Sequence, residues 1–180
     1  MKLTFAFAAV ILTLSILFAP YNILAQENEA SGSAEVVDIY ALFWPVVPGK
    51  TVADPFFWAK QLKETFSSIF SFGEINKSRN LIEISEKRFV EGSKLFEAKD
   101  FSNAFKSLEL NKKARDEAVK LKKQALEKKQ DVKELTSRLV DSLEKQQKAL
   151  MFLETQLPED QKGKIAKIVQ DLTLQISEAK

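Results

Sequence analysis

The chain has 180 residues, of which 45% are hydrophobic and 29% charged, and its 27 basic and 25 acidic residues give a net charge of +2. These values are typical of one folded domain with a targeting segment, and the charge balance does not indicate a polyanionic partner such as nucleic acid. The sequence contains no cysteine and no histidine, which excludes disulfides, thiol catalysis, haem ligation by histidine and the usual zinc sites.

The N-terminus has the three parts of a secretory signal peptide. Lys2 provides the positive start, an apolar run extends over 3–18, and the small residue Ala25 precedes the expected cleavage site. We predict cleavage between Ala25 and Gln26. The alternative is an uncleaved membrane anchor, because 3–24 is long enough to span a bilayer. Both alternatives place the rest of the chain outside the cytoplasm, secreted or in the cell envelope.

The next segments differ in composition. Residues 26–35 are polar and small, which predicts a flexible linker. Residues 36–52 are rich in β-branched and aromatic side chains, and they contain Pro45 and Pro48, which oppose a helix. We predict an extended segment whose aromatic side chains contact the helices that follow. The alternative is an apolar loop lying at the membrane surface.

Four helical regions are predicted after residue 52. The first starts at Asp54-Pro55, where a capping carboxylate is followed by proline at the first helical position. In the third, apolar residues recur every seven positions with one shift of register, which predicts coiled-coil-like packing with a stutter. A hairpin that turns near 130–131 would keep this region compact. The predicted ranges are 54–73, 74–98, 101 to about 157 with a break near 129–132, and 158 to about 177.

We therefore predict an all-α fold. It is a helical bundle of four to five helices with a coiled-coil-like long hairpin, preceded by the extended aromatic segment. The domain limits are 1–25 for the signal peptide or N-terminal membrane anchor, 26–35 for the linker and 36–180 for the helical domain. The turn Lys99-Asp100-Phe101 is similar to the turn inside a tetratricopeptide hairpin, but no second copy follows at the required period. We expect one such hairpin and no repeat array.

Aromatic residues are concentrated around the start of the first long helix. We expect most of them to form a core contact between the aromatic segment and that helix. The alternative is an interaction patch that faces a partner or a membrane, since aromatic residues also mark interfaces. The residues of this candidate patch are Tyr40, Phe43, Trp44, Phe56, Phe57 and Trp58.

Two further motifs indicate little. Gly49-Lys50-Thr51 is similar to the end of a phosphate-binding loop, but Trp44 stands where that motif requires its first glycine. The basic stretch over 112–129 is interleaved with acidic residues and does not fall on one face, so we interpret it as a solvated helix surface.

The aromatic and proline-rich opening, with the helix start Asp54-Pro55-Phe56-Phe57 and Lys60, resembles the start of a bacterial family of exported proteins with a domain of unknown function. Members of that family have a "SPLY-x-x-K"-like helix start. The segments 86–91 and 98–105 and the helix opening at 157–159 also fit. The chain departs from the family pattern where it has Asp-Pro-Phe-Phe. The resemblance implies an exported helical domain, and it implies no activity.

Two hypotheses for the function follow. The first is a non-catalytic module of the cell envelope that binds protein or cell-surface material through its helix faces. The second is a membrane-anchored extracytoplasmic module of a sensor or regulatory system. For both we expect no cofactor, no metal, no catalytic residue and no nucleic-acid partner, with possible membrane contact through the N-terminal segment.

Overall fold

The computed structural model describes residues 37–47 and 49–180, and for residues 65–70 it describes the backbone. The predicted signal peptide, the cleavage site at Ala25 and Gln26 and the linker 26–35 lie outside the described residues. Within the described part every regular element is helical and no strand occurs. The all-α fold class is therefore confirmed.

One short and five long helices follow each other along the described residues. The break predicted near 129–132 separates the fourth from the fifth, and the third begins at the predicted residue. The helices are α1 Ile39–Leu42, α2 Phe57–Phe70, α3 Glu74–Glu97, α4 Phe101–Glu127, α5 Lys133–Gln156 and α6 Glu159–Ala179.

The long helices α3 to α6 form two antiparallel hairpins. The Ser78 hydroxyl of α3 donates to the Ala118 carbonyl of α4 at 2.9 Å, and the Ser107 hydroxyl of α4 donates to the Arg88 carbonyl of α3 at 2.9 Å. Residue numbers thus fall on α4 as they rise on α3. The second hairpin joins α5 to α6, where the Gln147 side-chain amide donates to the Thr173 hydroxyl at 2.7 Å.

The two hairpins lie side by side with like helices parallel. Arg79 of α3 pairs with Glu134 of α5 at 2.9 Å, and further along both helices Glu83 pairs with Arg138 at 3.4 Å. Between α4 and α6, Lys112 contacts Asp171, and further along both helices Lys123 contacts Glu178. These two helices are therefore parallel as well. The hairpin expected at the turn 99–101 is formed by α3 and α4, and a second hairpin, of α5 and α6, lies against it.

The predicted coiled-coil hairpin over 101–157 is also corrected. Its two halves are α4 and α5, and α4 is paired along its length with α3, while it meets α5 at few positions. The turn between α3 and α4 has only three residues, so it holds these helices adjacent. The apolar repeat in α4 is compatible with packing against α3 or α5, since a heptad stripe indicates that a face is buried but not which helix covers it.

The ends of α3 and α4 are built alike. Lys99 and Lys129 have left-handed backbone angles, with φ of 59° and 58°. Beyond α3, the Lys99 amide donates to the Phe96 carbonyl and the Asp100 amide to the Leu95 carbonyl, both at 2.9 Å. This is the Schellman arrangement, which satisfies carbonyls that the helix end leaves open. The chain is thereby reversed over three residues.

The aromatic segment is not extended over its whole length. Residues 39–42 form one helical turn, because the Asp38 carboxylate accepts a hydrogen bond from the Ala41 amide at 3.0 Å and caps it. The prolines follow this turn and do not interrupt it. The expected contact with the helices is nevertheless made, since the Phe43 ring lies 5.0 Å from the Phe89 ring of α3.

Candidate functional site

The six residues of the candidate patch do not form one surface. Phe43 is 3% exposed and belongs to the core. The Tyr40 hydroxyl donates to the Glu97 carboxylate at 2.8 Å, and burial together with this carboxylate raises the tyrosine pKa. The Phe57 ring lies 4.6 Å from the Arg88 guanidinium. These three side chains attach the N-terminal elements to α3, as a core contact would.

The other three patch residues remain exposed. Trp44, Phe56 and Trp58 are exposed by 79%, 60% and 62%. Trp44 lies at the edge of a cleft, whereas Trp58 lies on α2. Trp44 therefore contributes to the cleft, whereas Phe56 and Trp58 are not among its lining residues.

The cleft at Trp44 lies between the aromatic segment and the faces of α3 and α5. Its volume is about 600 Å³, which falls within the range of small-ligand sites. The Trp44–Pro45 peptide bond at its edge is cis. We name it the Trp44 cleft, and its lining residues are Phe43, Trp44, Pro45, Val46, Val47, Glu83, Glu86, Lys87, Arg138, Asp141 and Lys145.

The charges that line the Trp44 cleft balance. It has three carboxylates and three cations, and Lys145 pairs with Asp141 at 2.8 Å as Arg138 does with Glu83. Burial raises the pKa of the Glu86 carboxyl, although a hydrogen bond with Ser142 opposes that change. The cleft thus offers donors, acceptors and an exposed indole without a net charge to attract an ion.

A cluster of four charged residues attaches α2 to α3. Glu91 is fully buried, accepts from Arg88 Nη1 at 2.8 Å and also contacts the Lys60 ammonium of α2. Arg88 in turn contacts the Glu64 carboxylate of α2. Burial, with Arg88 nearby, lowers the pKa of Lys60 to about 8. Each charge in this cluster faces an opposite one, so the arrangement positions α2.

A second polar cluster crosses all four long helices of the bundle. Asn111 donates to the Ser85 carbonyl at 2.8 Å and to Gln146 Oε1 at 3.0 Å. Arg115, which is 1% exposed, donates to Asn111 Oδ1 at 3.0 Å and to Gln175 Oε1 at 2.6 Å. We name this the central polar layer. Because its members pair in one register, it fixes how the hairpins are aligned.

The remaining sequence motifs have structural roles. The Lys50 ammonium lies 4.7 Å from the Phe56 ring centre and pairs with Asp54 at 3.8 Å, so it belongs to the connection before α2. Within the basic stretch, Lys122 is turned inward and donates to the Ala179 carbonyl at 2.7 Å. The stretch is therefore only partly the solvated surface that we expected.

Sequence reasoning identified Trp44 but none of the charged residues of the cleft. Glu83 and Arg138 lie 55 positions apart in the chain, and only the parallel alignment of α3 with α5 brings them together. Asp38 was a signal that sequence reasoning overlooked, since a capping carboxylate before Ile39 indicates a helix start.

Comparison with family models, with curated proteins and with solved structures finds no match for this chain. Over the described residues, no cluster of acidic side chains could hold a metal ion. None of the helices described is long and apolar enough to cross a membrane.

Proposed function

We propose that the chain is an exported, non-catalytic interaction module of the cell envelope that holds polar cell-wall material in the Trp44 cleft. The observation that carries this proposal is the 79% exposure of Trp44 beside a charge-balanced cleft. An exposed indole next to donors and acceptors suits a ligand with an apolar ring face and many hydroxyl groups. Such a ligand needs no net charge.

Export is supported by the signal-like N-terminus, with Lys2, the apolar run and Ala25 in order. Membership of the exported bacterial family stays part of the proposal, and it rests on the resemblance over the aromatic opening and the helix start. Both point to the cell envelope as the place where the cleft acts.

A non-catalytic role is supported by chemistry. The full chain has no histidine and no cysteine, so it lacks the residues that most often activate a nucleophile. The fully buried carboxylate of Glu91 is paired with Lys60 and Arg88. Its two oxygens are therefore taken up by contacts that hold α2 to α3.

The test compares the only two tryptophans of the chain, both of which are largely exposed. Protein purified from expressing bacteria is sedimented with lipid-free cell-wall material. Trp44→Ala should weaken binding about tenfold or more, the loss typical of an aromatic residue at the centre of an interface. Trp58→Ala is the matched control and should change binding less than twofold. Failure of the unaltered protein to bind, or equal effects of both variants, would contradict the proposal.

The second candidate function is a membrane-anchored extracytoplasmic module. It is favoured by the apolar segment 3–24, and it differs in keeping that segment attached. Both candidates can use the Trp44 cleft, so they are separated by the mass of the protein and the fraction that contains it.

A further inference from the structure

The orientation of α2 is opposite to that of an ordinary surface helix. Lys60 and Glu64 are four residues apart and face α3, where they contact Glu91 and Arg88. Trp58 and Leu62 are also four residues apart, and they lie on the other side of the helix because two residues turn it by about 200°. A helix on a globular domain usually buries its apolar stripe, whereas here the charged stripe is buried.

The described side chains of the apolar stripe of α2 are those of Trp58 and Leu62, and both are exposed. Trp58 is 62% exposed and Leu62 is 50% exposed. Phe72, just beyond the end of the helix, is exposed more strongly still. By contrast, the bundle after residue 73 has single exposed apolar residues on separate helices, such as Leu126 on α4. Exposed apolar surface is thus concentrated in the part of the domain closest in sequence to the N-terminal segment.

We infer that α2 lies on the surface of a lipid bilayer, with Trp58 and Leu62 inserted among the head groups. The composition of the stripe favours a bilayer, since tryptophan beside leucine is typical of helices that lie in this interface. Lys63, which follows Leu62 directly, is exposed and can reach anionic lipid. This inference goes beyond the proposed function and does not depend on the Trp44 cleft.

The dimensions of α2 agree with this placement. A helix of 14 residues is about 21 Å long, which is shorter than the hydrocarbon core of a bilayer. It can therefore lie along the surface but cannot cross. The charged cluster keeps α2 attached to α3 while its stripe is in the bilayer, so membrane contact requires no unfolding. Export, as proposed above from the signal-like segment 3–24, would bring the domain to a membrane.

The experiment reads each tryptophan separately in the full chain. Trp44→Phe leaves Trp58 as the only indole, and Trp58→Phe leaves Trp44. Each variant is mixed with vesicles of phosphatidylcholine and phosphatidylglycerol that carry a brominated acyl chain. We expect the fluorescence of Trp58 to shift to the blue and to be quenched, with the fluorescence of Trp44 unchanged. This readout is specific to α2 even if the N-terminal segment inserts.

A pair of leucine substitutions tests whether any exposed apolar residue would bind the vesicles equally well. Leu62→Ser should raise the vesicle concentration needed for half-maximal quenching of Trp58 more than tenfold. Leu126→Ser removes a leucine of similar exposure from α4 and should leave it unchanged. Absence of Trp58 quenching, quenching of both tryptophans, or a blue shift that depends on protein concentration without vesicles would overturn the inference. The last result would assign the stripe to a second copy of the chain. None of these outcomes bears on cell-wall binding by Trp44.

Discussion

Replacing Arg115 by alanine removes the side chain that links Asn111 of α4 to Gln175 of α6 in the central polar layer. The guanidinium is 1% exposed and donates to Asn111, Gln175 and Asp171 at 3.0, 2.6 and 3.4 Å. Burial lowers the pKa of this guanidinium, while Asp171 opposes the change. The residue is therefore held inside the bundle by its partners.

The expected loss of stability is about 3–5 kcal/mol, the sum of a hydrogen-bond contribution and a packing contribution. An amide oxygen left without its donor contributes about 1–3 kcal/mol. Truncating the apolar stem adds about 2 kcal/mol at roughly 0.8 kcal/mol per methylene. Removal of the buried guanidinium charge offsets part of this loss of stability. Asp171 keeps a partner, because Lys112 contacts it at 2.9 Å.

Urea unfolding followed by far-UV circular dichroism measures the effect. Lys112→Ala is the matched control, because its ammonium contacts the same Asp171 but the side chain is 46% exposed, and it should cost less than about 1 kcal/mol. The slope of the unfolding transition should stay the same in both variants. If Arg115→Ala cost no more than Lys112→Ala, the central polar layer would not fix the register of the hairpins.

Three further outcomes are expected. Lys129→Gly should stabilise the protein by about 0.5–1 kcal/mol in urea unfolding, because φ is 58° there. Lys128→Gly, where φ is −79°, should not, and equal effects would refute the strain argument. Burial raises the pKa of Glu86 in the folded state, so the stability penalty of its charged form is absent at low pH and appears as pH rises through that pKa. Glu86→Gln should therefore stabilise the protein more at pH 7 than at pH 4, and the reverse order would contradict the assigned cause. Deletion of residues 1–25 should leave a soluble, strongly helical domain, and a circular dichroism spectrum without helix would exclude this.

Helix boundaries were predictable where capping signals are local. Asp100 accepts from the Asn103 amide at 3.2 Å and starts α4 as expected. Asp54 accepts from the Phe56 amide at 2.7 Å, yet α2 begins at Phe57, because the residues between form turns first. A cap fixes the local backbone and leaves the first helical residue free to shift by a turn.

The arrangement of the hairpins could not be predicted in the same way. The apolar stripes of α4 and α5 show that each helix is buried on one side, but they do not show which helix covers it. The pairs that align α3 with α5 join residues 55 positions apart, such as Arg79 with Glu134. Surface ion pairs of this kind are weak and leave no pattern in a single sequence.

The orientation of α2 was equally hidden. Its sequence shows an apolar stripe and a charged stripe, and propensity favours burial of the apolar one. The charged stripe faces α3 because Arg88 and Glu91 are buried there and require opposite charges. Trp58 is exposed because of Arg88 and Glu91, which lie on a different helix about thirty positions further along the chain.

The central claim is that this domain works outside the cytoplasm. Intact mass and N-terminal sequence, measured on the protein recovered from separate soluble, membrane and extracytoplasmic fractions, test it most directly. We expect a protein outside the cytoplasm that begins at Gln26. Full-length protein in the membrane fraction would favour the anchored alternative. Full-length protein in the soluble cytoplasmic fraction would contradict the claim.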